Sequence, residues 1–277
     1  MDSASSTEDN DSSDINVDYT MALLMEEPQI YHSLLAPKWL DVRWTINVSN
    51  LSANATSFIL YPSPPKFIPD DPGDSNVFTC VYQQSKSINA QTDSTVFGIA
   101  MQGVGTHPVV VVTGSPNHQL EPNLEVYATD TCNAYLAEKP ETSCTMTLTQ
   151  DAAPYLTTSS SGVHVNSKSR DASIRISCGS FPSDTLARPF VGLGAPAPVG
   201  VGIVPIVVWK AVPSQSFNLA PMSNKWRITK STSKPRTILD LSSQKPSDWI
   251  EVEFTDDNRE IQIDHNNDGT FSLSGDE

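Results

Sequence analysis

From Lys38 the chain alternates strictly. Trp39, Asp41, Arg43, Thr45 and Asn47 occupy one phase, and Leu40, Val42, Trp44, Ile46 and Val48 the other. The second set is wholly apolar, so this is a half-buried strand. The Asn50–Asn54 turn and the apolar return Thr56–Tyr61 extend it into an expected hairpin. Further strands are expected at 76–83, 94–102, 108–113, 123–128, 143–149, 162–166 and 172–178. Residues 108–113 (PVVVVT) are apolar throughout and should be buried on both faces. Short strands then recur at 216–219, 225–229, 237–241, 249–255, 259–265 and 269–274. They read as an antiparallel meander whose last turns are Asp256–Asn258 and Asn266–Gly269. A sustained helical period is absent, which excludes βαβ folds. The expected fold is all-β, an antiparallel two-sheet β-sandwich with little helix. Two β subdomains joined near Ser160, where the Ser/Thr-rich stretch 157–162 resembles a linker, are the alternative.

The longest apolar stretch is the uncharged run Phe190–Trp209. Its length suits a membrane-spanning helix. Pro196, Pro198, Pro205 and four glycines would leave backbone groups unsatisfied in lipid, so stable membrane insertion is rejected. The run instead predicts a core strand from Val199 to Trp209, entered through a Gly-Pro loop. Pro205 calls for a bulge or an edge, and Gly200 and Gly202 for a bare face that something approaches closely.

Composition sharpens this frame. The 277 residues include 21 Pro against 13 Gly and carry a net charge of −15, which disfavours nucleic acid and anionic membrane surfaces. Six of the acidic residues fall within residues 1–18, expected to be a disordered, Ser-rich tail. Residues 19–36 read as a short helical or irregular lead-in to a β domain spanning 37–277. The acidic N-terminus lacks a basic or apolar leader, so an intracellular, cytoplasmic chain is expected. Its four cysteines, Cys80, Cys132, Cys144 and Cys178, then read as reduced and mostly buried. The sequons at Asn47, Asn50 and Asn54 read as accidental.

Candidate chemistry is sparse. Asp264-x-Asn266-x-Asp268-Gly269 matches the first half of a calcium loop, but the position of the bidentate Glu holds Gly275; a hairpin turn is the better reading, and no metal is assigned. Gly192-x-Gly194-x-x-Ala197 fails as a dinucleotide loop because Pro196 and Pro198 remove N–H donors and block a helix. No cofactor is assigned. His107 and His118 flank the apolar strand 108–113, and either qualifies as a general base with Glu121 as a carboxylate partner. Trp39 beside Arg43, Trp209 beside Lys210 and Trp226 between Lys225 and Arg227 are candidate stacking platforms. Gly200 and Gly202 complete the candidate ligand wall. Three function classes stay open: a small-molecule or glycan binder, a cofactor-independent isomerase, cyclase or hydrolase using His with Asp or Glu, and a structural or interaction protein.

Overall fold

The computed structural model describes residues 43–67, 76–91, 93–100, 109–134, 143–148, 153–159, 174–182, 187–198, 202–219, 224–255 and 257–274. The tail, the lead-in and the expected strand at 162–166 lie outside them. In chain order the strands are β1 (Arg43–Asn50), β2 (Phe58–Pro62), β3 (Val77–Thr79), β4 (Gln83–Gln84), β5 (Ser94–Ala100), β6 (Val109–Gly114), β7 (Asp130–Ala134), β8 (Ser143–Thr147) and β9 (Tyr155–Ser159). They continue with β10 (Ile174–Cys178), β11 (Phe190–Pro196), β12 (Ile203–Lys210), β13 (Ser216–Leu219), β14 (Lys225–Lys230), β15 (Trp249–Glu253), β16 (Glu260–His265) and β17 (Phe271–Leu273). The helical elements among the described residues are two single 3-10 turns, Leu241–Ser243 and Pro246–Asp248. The fold is all-β.

The strands divide among four sheets. Sheet I has the order β17-β16-β1-β5, sheet II β15-β14-β2-β4, sheet III β3-β12-β11-β6-β7 and sheet IV β13-β10-β8-β9. Most pairings are antiparallel; β1 with β16 and β8 with β10 run parallel. Inward residues of all four sheets meet in one apolar core, among them Trp44, Leu60, Val111 and Ile176. Aromatic contacts join the layers. Trp44 of sheet I stacks on Phe254, just beyond β15, at 5.0 Å. Trp209 of sheet III meets Phe217 of sheet IV edge-on at 5.6 Å.

The alternation of β1 is as expected, with Trp44, Ile46 and Val48 buried. Its partner is not. β1 is flanked by β5 and β16, whereas β2 belongs to sheet II. Asn50 explains why the chain leaves the sheet instead of folding back. Its side-chain nitrogen donates to the carbonyls of Asn54, Ile88 and Asn89, and its Oδ1 accepts from the Ser52 N–H and hydroxyl. That knot redirects the backbone before a two-strand register can start. The same crossing happens later: β15 pairs with β14 in sheet II, but β16 pairs with β1 in sheet I, so only β16–β17 forms the expected terminal hairpin.

Two expected strands are absent. Residues 123–128 and 237–241 make isolated bridges only, Glu125 to Thr237 and Cys80 to Ile238. Asn123 (φ 69°) and Arg236 (φ 73°) break the extended backbone, and Asp240 caps the first 3-10 turn by accepting from Ser242. These segments instead cover the outer face of sheet III, where Val126 and Ile238 pack on Val110, Val112, Phe190 and Val208. That cover is why β6 is buried along its whole length. The Ser/Thr-rich linker expected from 157 begins inside a strand, since Thr157 pairs with Thr145 in the β8–β9 ladder; residues 160–162 lie outside the described residues.

The apolar run is a hairpin of two core strands. Its supposed Gly-Pro loop is β11, paired on one side with β6 and on the other with β12. The bare strip therefore lies at Gly192 and Gly194. A Cβ on Gly192 would run into the Val207 carbonyl oxygen, and one on Gly194 into Ile203 and, at 2.6 Å, Val112. Gly202, with φ 110°, sits in the turn, where only glycine is unstrained. Pro205 does bring an irregularity: the register slips between Leu193 and Gly194, and β3 pairs only with Val207–Trp209, beyond the proline.

Candidate functional site

The outer face of sheet II holds the most developed polar constellation among the described residues. Its construction follows from the period of two. On β14, Lys225, Arg227 and Thr229 share one phase, and on β15 Trp249, Glu251 and Glu253 do. The antiparallel register sets Arg227 opposite Glu251 and Lys225 opposite Glu253, with Tyr61 of β2 on the other side of Arg227. Basic and acidic side chains thus meet across one rung.

The contacts are close. Arg227 Nε donates to Glu251 Oε2 at 2.8 Å, and the Ser63 hydroxyl donates to the same oxygen at 2.8 Å. Lys225 Nζ lies 3.8 Å from Glu251 and 3.5 Å from Glu253. The Arg227 guanidinium carbon sits 4.2 Å from the centre of the Trp249 ring, a cation–π contact. The Tyr61 hydroxyl donates to Gln244 Oε1 at 2.9 Å. Trp249 is half-buried, whereas Trp44, Trp209 and Trp226 are buried.

Electrostatics fix the protonation states. Burial alone would raise the Glu251 carboxyl; the bonds from Ser63 and Arg227 and the charge of Lys225 outweigh it and hold the pKa below the ordinary value. Glu251 is therefore an ionised acceptor. Burial pushes the Tyr61 phenol up to about 12, with Glu251 adding to the shift and Arg227 opposing it, so it stays a neutral donor. The ensemble sets a guanidinium against an indole ring, with Glu251 and Glu253 beside them and the Tyr61 and Ser63 side chains buried beneath. Its carboxylate is already neutralised by two cations, which suits recognition rather than proton transfer.

A smaller arrangement lies on the cover of sheet III. Tyr127, 51% exposed, donates from its hydroxyl to Glu125 Oε2 at 2.7 Å, with Arg236 5.0 Å from its ring centre. The Glu125 bond raises the Tyr127 pKa.

The residues nominated from the sequence are dispersed. His107, Trp39 and Gly200 lie outside the described residues. His118 and Glu121 are exposed in the loop after β6. Arg43 opens β1, its main chain opposite Ala100. Trp209 is fully buried between Phe67 and Phe217, and Trp226 packs on Tyr82 with ring centres 5.2 Å apart. Neither is a surface platform: each lies on the inward phase of its strand, and the flanking Lys and Arg point the other way. Asn266 and Asp268 form the expected hairpin turn. Gly269 takes φ 86°, Asn266 N–H bonds the Thr270 carbonyl at 2.8 Å, and Asp268 Oδ1 accepts from the Thr270 hydroxyl at 2.6 Å. Cys80 and Cys178 are buried free thiols, as expected, but Cys132 is disulfide-bonded, which corrects the expectation that all four cysteines are reduced.

The Arg227–Glu251–Trp249 face was absent from the nominated residues, although its signal was present. Lys225-x-Arg227 and Glu251-x-Glu253 are complementary alternations on two strands of the predicted meander. No protein-family model, curated protein or solved structure matches this chain. No helix among the described residues is long and apolar enough to cross a membrane.

Proposed function

We propose that this protein is a non-catalytic binding module on a β-sandwich-like scaffold, and that the outer face of sheet II takes a neutral, hydroxyl-rich ring such as a glycan. The observation that carries the reading is the half-buried Trp249 held by Arg227 at 4.2 Å, with Glu251 bonded to Arg227 at 2.8 Å. A sugar ring has an apolar C–H face that stacks on an indole, and hydroxyls that donate to ionised carboxylates. Glu251 and Glu253, and the overall charge of −15, repel anionic ligands, nucleic acid included. The reading requires no cofactor. Titration of the full chain with a panel of neutral oligosaccharides, followed by tryptophan fluorescence, tests it. Saturable quenching that Trp249→Ala removes is the expected result. A panel that leaves the fluorescence unchanged, or quenching that survives Trp249→Ala, would refute it.

A further inference from the structure

We infer that Asn54 is an N-glycosylation site and that the chain matures in an oxidising compartment. Two independent observations carry this.

The first is the disulfide at Cys132. Forming it removes two protons and two electrons from two thiols and requires a disulfide-donating oxidant. Such bonds persist in secretory and extracellular settings and are rare in a reducing cytosol. This displaces the cytoplasmic address expected from the N-terminal composition.

The second is how the fold treats three closely spaced sequons, Asn47-Val-Ser, Asn50-Leu-Ser and Asn54-Ala-Thr. Asn50 is 1% exposed, and both ends of its amide are engaged by Ser52, Asn54, Ile88 and Asn89. A sugar on its nitrogen would replace one of the two N–H donors that serve the carbonyls of Asn54, Ile88 and Asn89, and could not be enclosed at a residue so buried. Asn47 lies in the middle of β1, between Val96 and Gln262, with its side-chain oxygen buried. Asn54 differs on each count. It is exposed in a bend, and the fold holds it through its main-chain carbonyl, which accepts from Asn50 Nδ2 at 2.9 Å and the Ser52 hydroxyl at 3.1 Å. Its neighbours Leu51, Ala53 and Ala55 are also exposed, a small apolar loop that a glycan would cover.

The transfer balances without a redox step. The Asn54 side-chain nitrogen attacks the anomeric carbon of a lipid-linked oligosaccharyl diphosphate. A C–N bond forms, and the anomeric C–O bond breaks. The lipid diphosphate leaves with the electron pair, and the amide gives up one proton.

The test is full-length chain directed into the secretory lumen of eukaryotic cells by a cleavable leader. Enzymatic deglycosylation converts an occupied Asn to Asp, which peptide mass spectrometry reads. Expected is Asp at 54 with Asn at 47 and 50, and a single mobility shift that Asn54→Gln removes while the variant is still secreted. Secreted chain without sugar, or sugar at Asn47 or Asn50 in folded protein, would overturn the assignment of Asn54. For the compartment, non-reducing peptide mapping of protein from its native cells should find Cys132 cross-linked. Recovery of Cys132 there as a free, alkylatable thiol would overturn that half.

Discussion

His265 Nδ1 lies 3.1 Å from Asn50 Oδ1, across 215 residues of sequence, and this contact ties β16 to the knot that ends β1. The geometry sets the tautomer. Asn50 Nδ2 is committed to three carbonyls, so the atom facing the imidazole is an acceptor and Nδ1 carries the proton. Nε2 is then a bare lone pair. It is buried, without a hydrogen-bond partner among the described residues, against Phe58 and Phe271.

Protonating His265 would place an unpaired N–H and a charge among aromatic rings. Burial, and then the Lys230 cation, lower its pKa; Asp268 opposes them only in part. Because the folded pKa lies below the unfolded value of about 6.5, the contribution is fully present above that pH and is lost as pH falls below it. Thermal melts should therefore decline in midpoint from pH 7 to pH 5. His265→Asn, which keeps a donor for Asn50, should melt lower at pH 7 and show a shallower decline. An unchanged slope in the variant would remove His265 as the cause.

The glycines of β11 make a steric prediction. Gly194→Val must displace Ile203 and Val112 on one face of sheet III, and Gly192→Ala must displace the main chain at Val207. Overpacking of this kind costs about 1–3 kcal/mol, and Gly192→Ala belongs at the upper end because its obstacle is backbone. Gly202→Ala is costly for a different reason, its φ of 110°. Urea denaturation midpoints of the three variants, with unchanged slopes, would check this ordering.

Legibility in the sequence followed the range of the interaction. The alternation of Trp44, Ile46 and Val48 and the fully apolar Val109–Val112 are local, and both report their burial correctly. Partner choice is not local. Whether Asn50 starts a hairpin or a crossing depends on carbonyls near residue 88, and whether β16 continues the meander depends on an open edge of β1. One uncharged run of twenty residues hides two paired strands, β11 and β12, so the closely approached glycines Gly192 and Gly194 lie on the strand that precedes Gly202. Charged neighbours in sequence do not mark a strand tryptophan as exposed. In a strand those neighbours face the opposite way, so Trp226 is core and Arg227 instead reaches Trp249.

The Arg227–Glu251 pair should be worth more than a surface ion pair. Their side chains are 25% and 28% exposed, and the bond is charge-assisted at 2.8 Å. A double-mutant cycle with Arg227→Met and Glu251→Gln should return a coupling of about 1 kcal/mol at pH 7. Since the Glu251 pKa is lowered by folding, this stability exists above the unfolded carboxyl value of about 4.3 and fades as pH falls below it. A coupling that persists undiminished at pH 2 would contradict the assignment.

Cys80 and Cys178 offer a readout of global opening. Cys80 is fully buried beneath the cover of sheet III, and Cys178 ends β10 at the edge of the main core. Burial raises both thiol pKa values, that of Cys178 to about 11 against a weaker opposing bond from the Val212 backbone. The thiolate is the reactive species, so both groups are suppressed twice, by protonation and by exclusion of reagent. In native protein at pH 8 an aromatic disulfide reagent should label neither within the time that full labelling takes in denaturant. As denaturant rises, Cys80 and Cys178 should become reactive together, in step with the loss of tryptophan fluorescence from Trp209 and Trp226. Their core positions connect through sheet III, where Val208 packs with Cys80 on one face and Trp209 joins the Cys178 core on the other. Labelling of Cys80 well before that transition would show that the cover formed by residues 120–128 and 236–239 opens independently of the sheets beneath it.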